Sequence, residues 1–399
     1  MAEWFKCTIG DLCKSISDTY KGNDENVVLI NTSDVLDGKV LNHYLVENKK
    51  LKGQFKKTFR KKDILYSEIR PANKRFAFVD FDNTSNYIAS TKLMVLRHND
   101  KVLPEYLFAI LKSKSVLDEL QYLAETRSGT FPQITFASEL APMPVKIPDK
   151  ITQEKIVGIL RNIENKIEMN YEINNNLEQQ AQALFKSWFI NFDLFNKVKP
   201  SDWNYGTIED LASEIVCGKT PSTKKKEYYG EDIPFITIPD MHNSVYIVKT
   251  ERSLSLLGAD SQSKKTLPKN SICVSCIGTA GLVTLVSTPS QTNQQINSII
   301  PKENVSPYFV YLLMKTKSDE INKYGQSGST IVNLNKTQFA KLECILPSTK
   351  ALIEFNDLLE PLFNKILVNM KENIALADLR DTLLPKLMSG ELDVSDIDI

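Results

Sequence analysis

Two lysine-rich segments are the part of this sequence best suited to binding chemistry, and they repeat one another. Positions 49–62 hold eight basic residues and no acidic one. The stretch from Gln54 to Ser67 recurs 208 residues further on. The identical residues are Gln54, Lys56, Lys57, Thr58, Lys61, Ile64 and Ser67. Ammonium groups neutralise backbone phosphates and hold a protein in register on a duplex. We therefore predict phosphate contacts by the following cations, with a merely solvated face as the alternative: Lys56, Lys57, Arg60, Lys61, Lys264, Lys265 and Lys269.

Three further sets of loop residues could contact bases. They are an amide run (Asn293, Gln294, Gln295), cations around Pro71 (Arg70, Lys74, Arg75), and two glycine-containing polar loops (Arg127, Ser128, Gly129 and Ser327, Gly328). Asparagine and glutamine can pair bidentately with adenine, and arginine is the commonest reader of guanine. Glycine allows close backbone approach, either to DNA or within a turn. Ordinary loop residues without a ligand remain the alternative for each set.

Nothing in the sequence singles out a catalytic centre. It contains no Walker A sequence, no GxGxxG, no HExxH and no Asn-Pro-Pro-aromatic sequence of the kind that adenine methyltransferases use to hold their target base. Cys273 and Cys276 have the spacing of half a zinc site, but no second CxxC exists, so we interpret them as small apolar strand residues. We expect neither a catalytic residue nor a metal in this chain.

The composition is typical of a soluble globular protein. Hydrophobic residues make up 42% of the chain and charged residues 25%, and 49 basic residues balance 49 acidic ones. Zero net charge weighs against a simple nucleic-acid binder, which is often basic. No apolar run approaches the ~20 residues that cross a membrane, and the N-terminus does not resemble a signal peptide. We expect a cytoplasmic protein that does not engage a membrane.

The elements that must position these residues are duplicated at a spacing of 199. Thr8-Ile9-Gly10-Asp11-Leu12 returns as Thr207-Ile208-Glu209-Asp210-Leu211, and Asn165-Lys166-Ile167 returns as Asn364-Lys365-Ile366. A solenoid repeat would be about 20–50 residues long. The longer period indicates a duplicated domain followed by a duplicated helix.

A heptad seam predicts one long helix in each copy. The first seam consists of Ile156, Leu160, Ile163, Ile167, Asn170, Asn174 and Leu177, and the second of Phe355, Leu359, Leu362, Ile366, Asn369, Asn373 and Leu376. Polar seam residues fix register and orientation, so we expect the helices to pack as an antiparallel coiled coil, each roughly 55 Å long. Pro385 should kink or end the second helix near its last turn, and we expect the acidic tail from Gly390 to be frayed.

The remaining segments indicate modules that mix strands and helices without a regular βαβ series. Helices are predicted at Pro104–Lys112 and Pro307–Lys315, where proline can occupy a first turn. The predicted fold class is α+β, with two tandem α+β domains separated by two long helices packed as an antiparallel coiled coil. The predicted bounds are 1–147 for the first module, 148–195 for the central helix, 196–347 for the second module, 348–390 for the C-terminal helix and 391–399 for the tail.

As a set, these features resemble the specificity (S) subunit of type I restriction–modification systems over essentially the whole chain. The second module carries Gly218-Lys219-Thr220-Pro221-Ser222, Tyr228-Tyr229-Gly230, Ile233-Pro234-Phe235-Ile236, Asp240-Met241 and Asn293-Gln294-Gln295-Ile296. The first carries Ile64-Leu65-Tyr66-Ser67-Glu68-Ile69-Arg70-Pro71 and Ser90-Thr91-Lys92-Leu93-Met94-Val95, but lacks the Gly-Lys-Thr-Pro-Ser run. The resemblance adds Lys92, Lys219 and Thr220 to the candidate DNA contacts, and the divergence predicts that the modules read different half-sites.

The resemblance implies a protein without catalytic activity of its own. Each module would be a target-recognition domain that reads one half of a bipartite site in double-stranded DNA. The helix pair would set the spacer and dock two modification (methyltransferase) subunits, with motor-nuclease restriction subunits completing the complex. S-adenosylmethionine, ATP and Mg would act in the partner subunits, and this chain would hold no cofactor. The alternatives are a stand-alone DNA nuclease or methyltransferase with a missed active site, and a protein-interaction scaffold that does not contact DNA.

Overall fold

The computed structural model describes residues 3–49, 53–127, 130–323 and 333–397. It divides into two compact units. The first unit comprises Met1–Asn165 and Leu376–Ile399, and the second comprises Lys166–Ala375. Among the helices described, none is both long and apolar enough to cross a membrane.

The first unit is built on two four-stranded sheets within its described part, ordered β2-β11-β8-β9 and β6-β3-β10-β7, while β1 pairs with β12 and β4 with β5. Its elements are β1 (Trp4–Thr8), β2 (Cys13–Ile16), β3 (Asn26–Ile30), β4 (Val35–Leu36), β5 (Lys39–Val40), β6 (Val46–Glu47), β7 (Phe55–Lys57), β8 (Ile64–Ser67), β9 (Phe76–Phe78), β10 (Tyr87–Ser90), β11 (Leu93–His98), α1 (Pro104–Lys112), α2 (Lys114–Arg127), β12 (Pro144–Pro148) and the long helix α3 (Lys150–Phe189), which continues into the second unit.

The second unit repeats this plan with a five-stranded sheet, β14-β22-β19-β20-β17, and a four-stranded one, β15-β18-β16-β21, while β13 pairs with β23. Its elements are β13 (Asn204–Thr207), α4 (Ile208–Leu211), β14 (Ala212–Cys217), β15 (Tyr229–Gly230), β16 (Ile233–Ile236), α5 (Ile238–Met241), β17 (Tyr246–Ile247), β18 (Arg252–Leu254), α6 (Leu256–Asp260), β19 (Ile272–Ser275), β20 (Val283–Val286), β21 (Gln291–Thr292), β22 (Ile296–Pro301), α7 (Pro307–Thr316), α8 (Ser318–Lys323), α9 (Lys336–Ala340), β23 (Glu343–Leu346) and α10 (Thr349–Ser389), whose last turns belong to the first unit.

The central strands of the two units correspond residue by residue. β8 and β19 are buried along their whole length, which explains their continuous apolar sequence. Each lies antiparallel to a longer strand, with Leu93 opposite Ser67 in the first unit and Ile296 opposite Ser275 in the second. Residues at the ends of these strands can therefore be compared directly between units.

The repeated Thr-Ile-x-Asp-Leu sequence starts each module for a local reason. The carboxylate of Asp11 accepts from the backbone N–H of Thr8 at 2.8 Å, and Asp210 accepts from Thr207 at 2.8 Å. Both are capping interactions that satisfy an N–H at the start of a short helical turn. The repeated Thr-Ile-x-Asp-Leu sequence is thus a helix-capping motif.

The long helices confirm the predicted seam and antiparallel pairing. Asp149 begins α3 by accepting from the N–H of Thr152 at 3.0 Å. Pro385 lies in the last part of α10, which ends at Ser389, and this agrees with the expected helix end near this proline. Asp381, whose carbonyl loses its helical partner at Pro385, is exposed, so water can satisfy that carbonyl. α10 also accommodates Pro361 at an exposed position.

The C-terminal tail is not frayed as far as Ile397, which corrects the expectation from the sequence. Val394 is only 2% exposed and belongs to the core of the first unit, together with Leu384 and Leu387. The backbone at Gly390 lies so close to the indole of Trp4 that a Cβ there would come within 2.7 Å of the ring. Val394 is an apolar residue between acidic sequence neighbours, and its burial helps to hold the tail against the first unit.

Candidate nucleic-acid interface

Three strand-end residues of the first unit form one surface rim. The backbone N–H of Glu68 donates to the carbonyl of Lys92 at 3.0 Å, and Ile134 donates to the carbonyl of Glu68 at 2.8 Å. A β-bridge joins Ile69 to Gln133. These contacts fasten together the chain segments that carry Glu68, Lys92 and Gln133, which we call the first rim.

The second unit makes the same backbone contacts with different residues. Cys276 donates to the carbonyl of Gln295 at 2.8 Å, and Leu334 donates to the carbonyl of Cys276 at 3.0 Å. A β-bridge joins Ile277 to Asn333. Cys276, Gln295 and Asn333, which we call the second rim, therefore occupy the positions of the first rim.

The side chains of the first rim are joined through one carboxylate oxygen. Gln133 Nε2 donates to Glu68 Oε2 at 3.1 Å, and Lys92 Nζ lies 3.7 Å from the same oxygen. Nearby in the chain, Arg70 and Lys74 have left-handed backbone conformations, with φ of 46° and 52°. Both side chains are exposed and form no ion pair within the described ranges, so they remain available to an anionic partner.

Beside the second rim, the Gly-Lys-Thr run predicted from the sequence packs on the amide run. A Cβ at Gly218 would lie 2.1 Å from the carbonyl oxygen of Asn293, so only glycine permits this approach. Thr220 Oγ1 donates to Gln294 Oε1 at 2.7 Å, and Asn293 Nδ2 donates to Gln295 Oε1 at 3.0 Å. The structure thus brings two separately predicted sets of DNA contacts together.

Buried glutamines hold this loop in place. Gln262 Nε2 donates to the carbonyl of Lys219 at 2.8 Å and to Gln291 Oε1 at 2.7 Å. Gln291, which is fully buried, donates in turn to Thr266 Oγ1 at 2.9 Å. The repeated Gln and Thr of the lysine-rich segment therefore have structural roles in the second unit, while Lys219 itself remains exposed.

The predicted lysines differ in where their ammonium groups lie. Lys57 is half-buried and donates to the carbonyls of Thr91 and Leu93 at 3.0 and 2.8 Å. Burial lowers the pKa of Lys57 from its ordinary value. Its ammonium therefore fastens the backbone on both sides of Lys92. Lys61 pairs with Asp82 at 2.8 Å at the surface.

The other predicted cations divide into exposed and internally engaged groups. Lys56, Arg60, Lys264 and Lys269 are exposed, and Lys265 is partly buried. Arg75 donates to the carbonyl of Ser33 at 3.1 Å, and Arg127 pairs with Glu139 at 3.1 Å. The predicted Ser128, Gly129, Ser327 and Gly328 lie outside the described residues.

The paired cysteines have the surroundings of core residues. Cys273 and Cys276 are buried, and burial raises the pKa of each thiol to about 12. A cysteine binds a metal ion as the deprotonated thiolate, which a raised pKa disfavours. Within the ranges that the structure describes, no cluster of three or more His, Cys, Asp or Glu residues could hold a metal ion.

The helix seam buries its asparagines in matched pairs. Asn170 Nδ2 donates to Asn373 Oδ1 at 2.8 Å, and Asn369 Nδ2 donates to Asn174 Oδ1 at 2.9 Å. The other predicted seam residues are either buried (Ile156, Leu160, Ile163, Phe355, Leu359, Ile366) or half-buried (Ile167, Leu177, Leu362, Leu376). Lys166 lies 3.5 Å from Glu372 at the edge of the seam.

Comparison with known proteins agrees with this duplicated architecture. Residues 1–179 and 200–377 each match the type I restriction modification DNA specificity domain. The chain belongs to this family. A specificity subunit of a type I restriction enzyme from Haemophilus influenzae, HindI, is 42% identical over 98% of this chain and 100% of its own length.

More distant similarities are found in sequence and in structure. The MjaIX specificity subunit of Methanocaldococcus jannaschii is 27% identical, over 75% of this chain and 71% of that one. A solved S subunit of a type I restriction–modification system from M. genitalium has a TM-score of 0.58 at 17% identity, with 97% and 96% of the two chains covered. Specificity subunits are the non-catalytic parts of such enzymes, so the enzyme alternative is not favoured.

Three rim residues of the specificity subunit were missed by sequence reasoning. Glu68, Gln133 and Asn333 belong to no repeated motif, because the repeat preserves the strands and not the residues that follow them. The one sequence feature that could have identified Glu68 is its position at the end of the aligned segment. Glu68 directly follows Ser67, the last residue of the aligned segment, and its counterpart in the second module is Cys276.

Proposed function

We propose that the chain reads a bipartite sequence in double-stranded DNA, one half-site with each module, and that its helix pair holds the two readers. The observation that carries this proposal is the pair of rims. One β framework carries Glu68, Lys92 and the amide of Gln133 in the first unit, and the amides of Gln295 and Asn333 beside the buried Cys276 in the second. Sequence is read by hydrogen bonds to base edges, so different side chains on equal backbones predict different half-sites.

Exposed cations beside the rims would supply the phosphate contacts that position each module. Arg70, Lys74 and Lys56 lie on the first unit, and Lys219 and Lys264 on the second. Phosphate contacts fix register without carrying sequence information. This division of labour explains why lysines recur in both modules while the rim residues differ.

The helix pair would dock two methyltransferase subunits, one on each of its equivalent sides. Met169 and Val368 occupy equivalent places in the two copies, and they are 54% and 57% exposed. Each precedes a buried seam asparagine, Asn170 or Asn369, so the repeat exposes an apolar side chain at the same helix position in both copies. S-adenosylmethionine, Mg and ATP would be bound by the methyltransferase and restriction subunits, with the complex acting on cytoplasmic DNA.

Module exchange tests the proposal. We would replace residues 200–347 with the corresponding module of another specificity subunit and determine the methylated sequence of the assembled complex. We expect one half of the motif to change and the other half and the spacer to remain. A change in both halves would contradict independent readers.

Incubation of the purified chain alone tests the enzyme alternative. With duplex DNA, S-adenosylmethionine and Mg²⁺ present, we expect no methyl transfer and no cleavage. The same mixture supplemented with the methyltransferase subunit is the positive control. Turnover by the chain alone would contradict a purely non-catalytic role.

A further inference from the structure

Glu68 keeps one carboxylate oxygen available at the surface. Its Oε2 is engaged by Gln133 and lies near Lys92, whereas Oε1 has no hydrogen bond among the described residues. The Glu68 side chain is 18% exposed and that of Lys92 is 47% exposed. An acceptor held by Gln133 and an adjacent exposed donor thus share one site at the strand ends.

Hydrogen bonds from Lys57 and Glu68 fix the backbone around Lys92. Lys57 donates to the carbonyls of Thr91 and Leu93, the two neighbours of Lys92 in the chain. The carbonyl of Lys92 itself accepts from the N–H of Glu68. The positions of the acceptor and the donor are therefore coupled through the sheet, as a reader of one defined base pair requires.

The second rim has no charged group at the equivalent positions. Cys276 is buried, Gln295 is partly buried and Asn333 is exposed. Gln295 Nε2 lies 3.7 Å from the position of a Cβ at Gly278. The first rim is therefore chemically distinct from its counterpart, although the backbone contacts are the same.

We infer that Glu68 and Lys92 together read one cytosine–guanine base pair in the half-site of the first module, with Gln133 as a positioning residue for the Glu68 carboxylate. In the major groove, cytosine presents its N4 amino group as a donor and guanine presents O6 and N7 as acceptors. Glu68 Oε1 accepts from cytosine N4, and Lys92 Nζ donates to guanine. Thymine offers the O4 acceptor at the place of the amino group, so the carboxylate rejects it. This inference rests on the proposed function.

The test compares Glu68→Gln with the wild type in the full complex with methyltransferase subunits. Methylation rates are measured on duplexes that carry each of the four base pairs at every position of both half-sites. We expect Glu68→Gln to reduce the preference for cytosine–guanine at one position of one half-site by about tenfold to a hundredfold. Glu119→Gln, an exposed acid on α2, is the matched control and should leave all preferences unchanged.

Lys92→Gln provides a second and independent variant. Because Lys92 is exposed, its replacement should not affect folding. It should weaken discrimination at the same position as Glu68→Gln, and the triple variant Glu68→Cys, Lys92→Gln, Gln133→Asn should remove the cytosine–guanine preference there. The inference is overturned if the complex with Lys92→Gln or Glu68→Gln retains every wild-type preference, or if the altered position lies in the other half-site. If the wild type itself methylates no bipartite sequence, the proposed function fails instead.

Discussion

Asn170 donates its side-chain amide to Asn373 Oδ1 across the helix seam, at 2.8 Å. The bond is made twice, because Asn369, the counterpart of Asn170 in the second copy, donates to Asn174 at 2.9 Å. The Oδ1 atoms of Asn170 and Asn369 are both buried without a partner in the described part of the chain. Donors, acceptors and unpaired atoms thus follow the 199-residue repeat, and only antiparallel helices in this register satisfy both bonds.

Replacing Asn170 with alanine should lower the free energy of unfolding by about 1–3 kcal/mol, because Asn373 Oδ1 is left buried without its donor. The double variant Asn170→Leu, Asn373→Leu should lose less, since both polar partners are removed together. Chemical denaturation of the full chain measures both. Asn364→Ala, on an exposed helix position, is the control, and equal losses from Asn170→Ala and Asn364→Ala would contradict the seam assignment.

Lys57 and Lys56 are neighbours with opposite expected roles. Lys57→Met should destabilise the first unit by about 1–2 kcal/mol, because two carbonyls lose a charged donor. Lys56→Met should leave stability unchanged and reduce the salt dependence of DNA binding by about one counterion. Thermal unfolding and binding at several salt concentrations distinguish them. A stable Lys57→Met variant with a flatter salt dependence would show that Lys57 contacts phosphate.

Val394 should contribute to the stability of the first unit although it lies in the tail. Val394→Ala should cost about 1–3 kcal/mol, since it removes buried methyl groups and leaves a cavity. Ile397→Ala, at a residue that is 40% exposed, is the matched control and should cost about 0.5 kcal/mol or less. If the two variants unfold alike, the tail does not pack as described.

Asp210 gives a pH-dependent contribution to stability. Hydrogen bonds from the backbone N–H and then the hydroxyl of Thr207 hold the pKa of Asp210 below its ordinary value of 3.8. A lowered pKa in the folded state adds stability above pH 3.8, and this stability is lost as the pH falls through the folded-state pKa. Asp210→Ala should therefore be less stable than the wild type at pH 7, with the difference shrinking below pH 3.8. Chemical denaturation of both proteins at pH 7 and at several values below pH 3.8 measures this difference, and a difference that does not change with pH would contradict the assignment.

Much of the fold could be predicted because local and periodic signals agreed. Pro104 begins α1 and Pro307 begins α7, as the sequence indicated. The seam followed from apolar spacing and from the two matched asparagines. The position of Pro385 predicted the end of α10 near Ser389, and the exposed proline is accommodated there because water can replace the one helical hydrogen bond that it removes.

The site was less predictable because residue type does not give side-chain direction. The lysine run suggested equal roles, yet Lys57 turns inward to two carbonyls while Lys56 faces solvent. Gly218 was recognised as part of a motif, but its close approach to Asn293 depends on a contact between distant strands. Glu68 and Gln133 are 65 residues apart, and only the sheet brings them together.

The central claim is that two different readers act on one DNA through a shared helix pair. Single-molecule sequencing of methylated DNA, from cells that produce this chain with its methyltransferase subunit, tests it most directly. We expect one asymmetric motif made of two unlike half-sites with a fixed spacer. A continuous palindromic motif, or two identical half-sites, would contradict the claim.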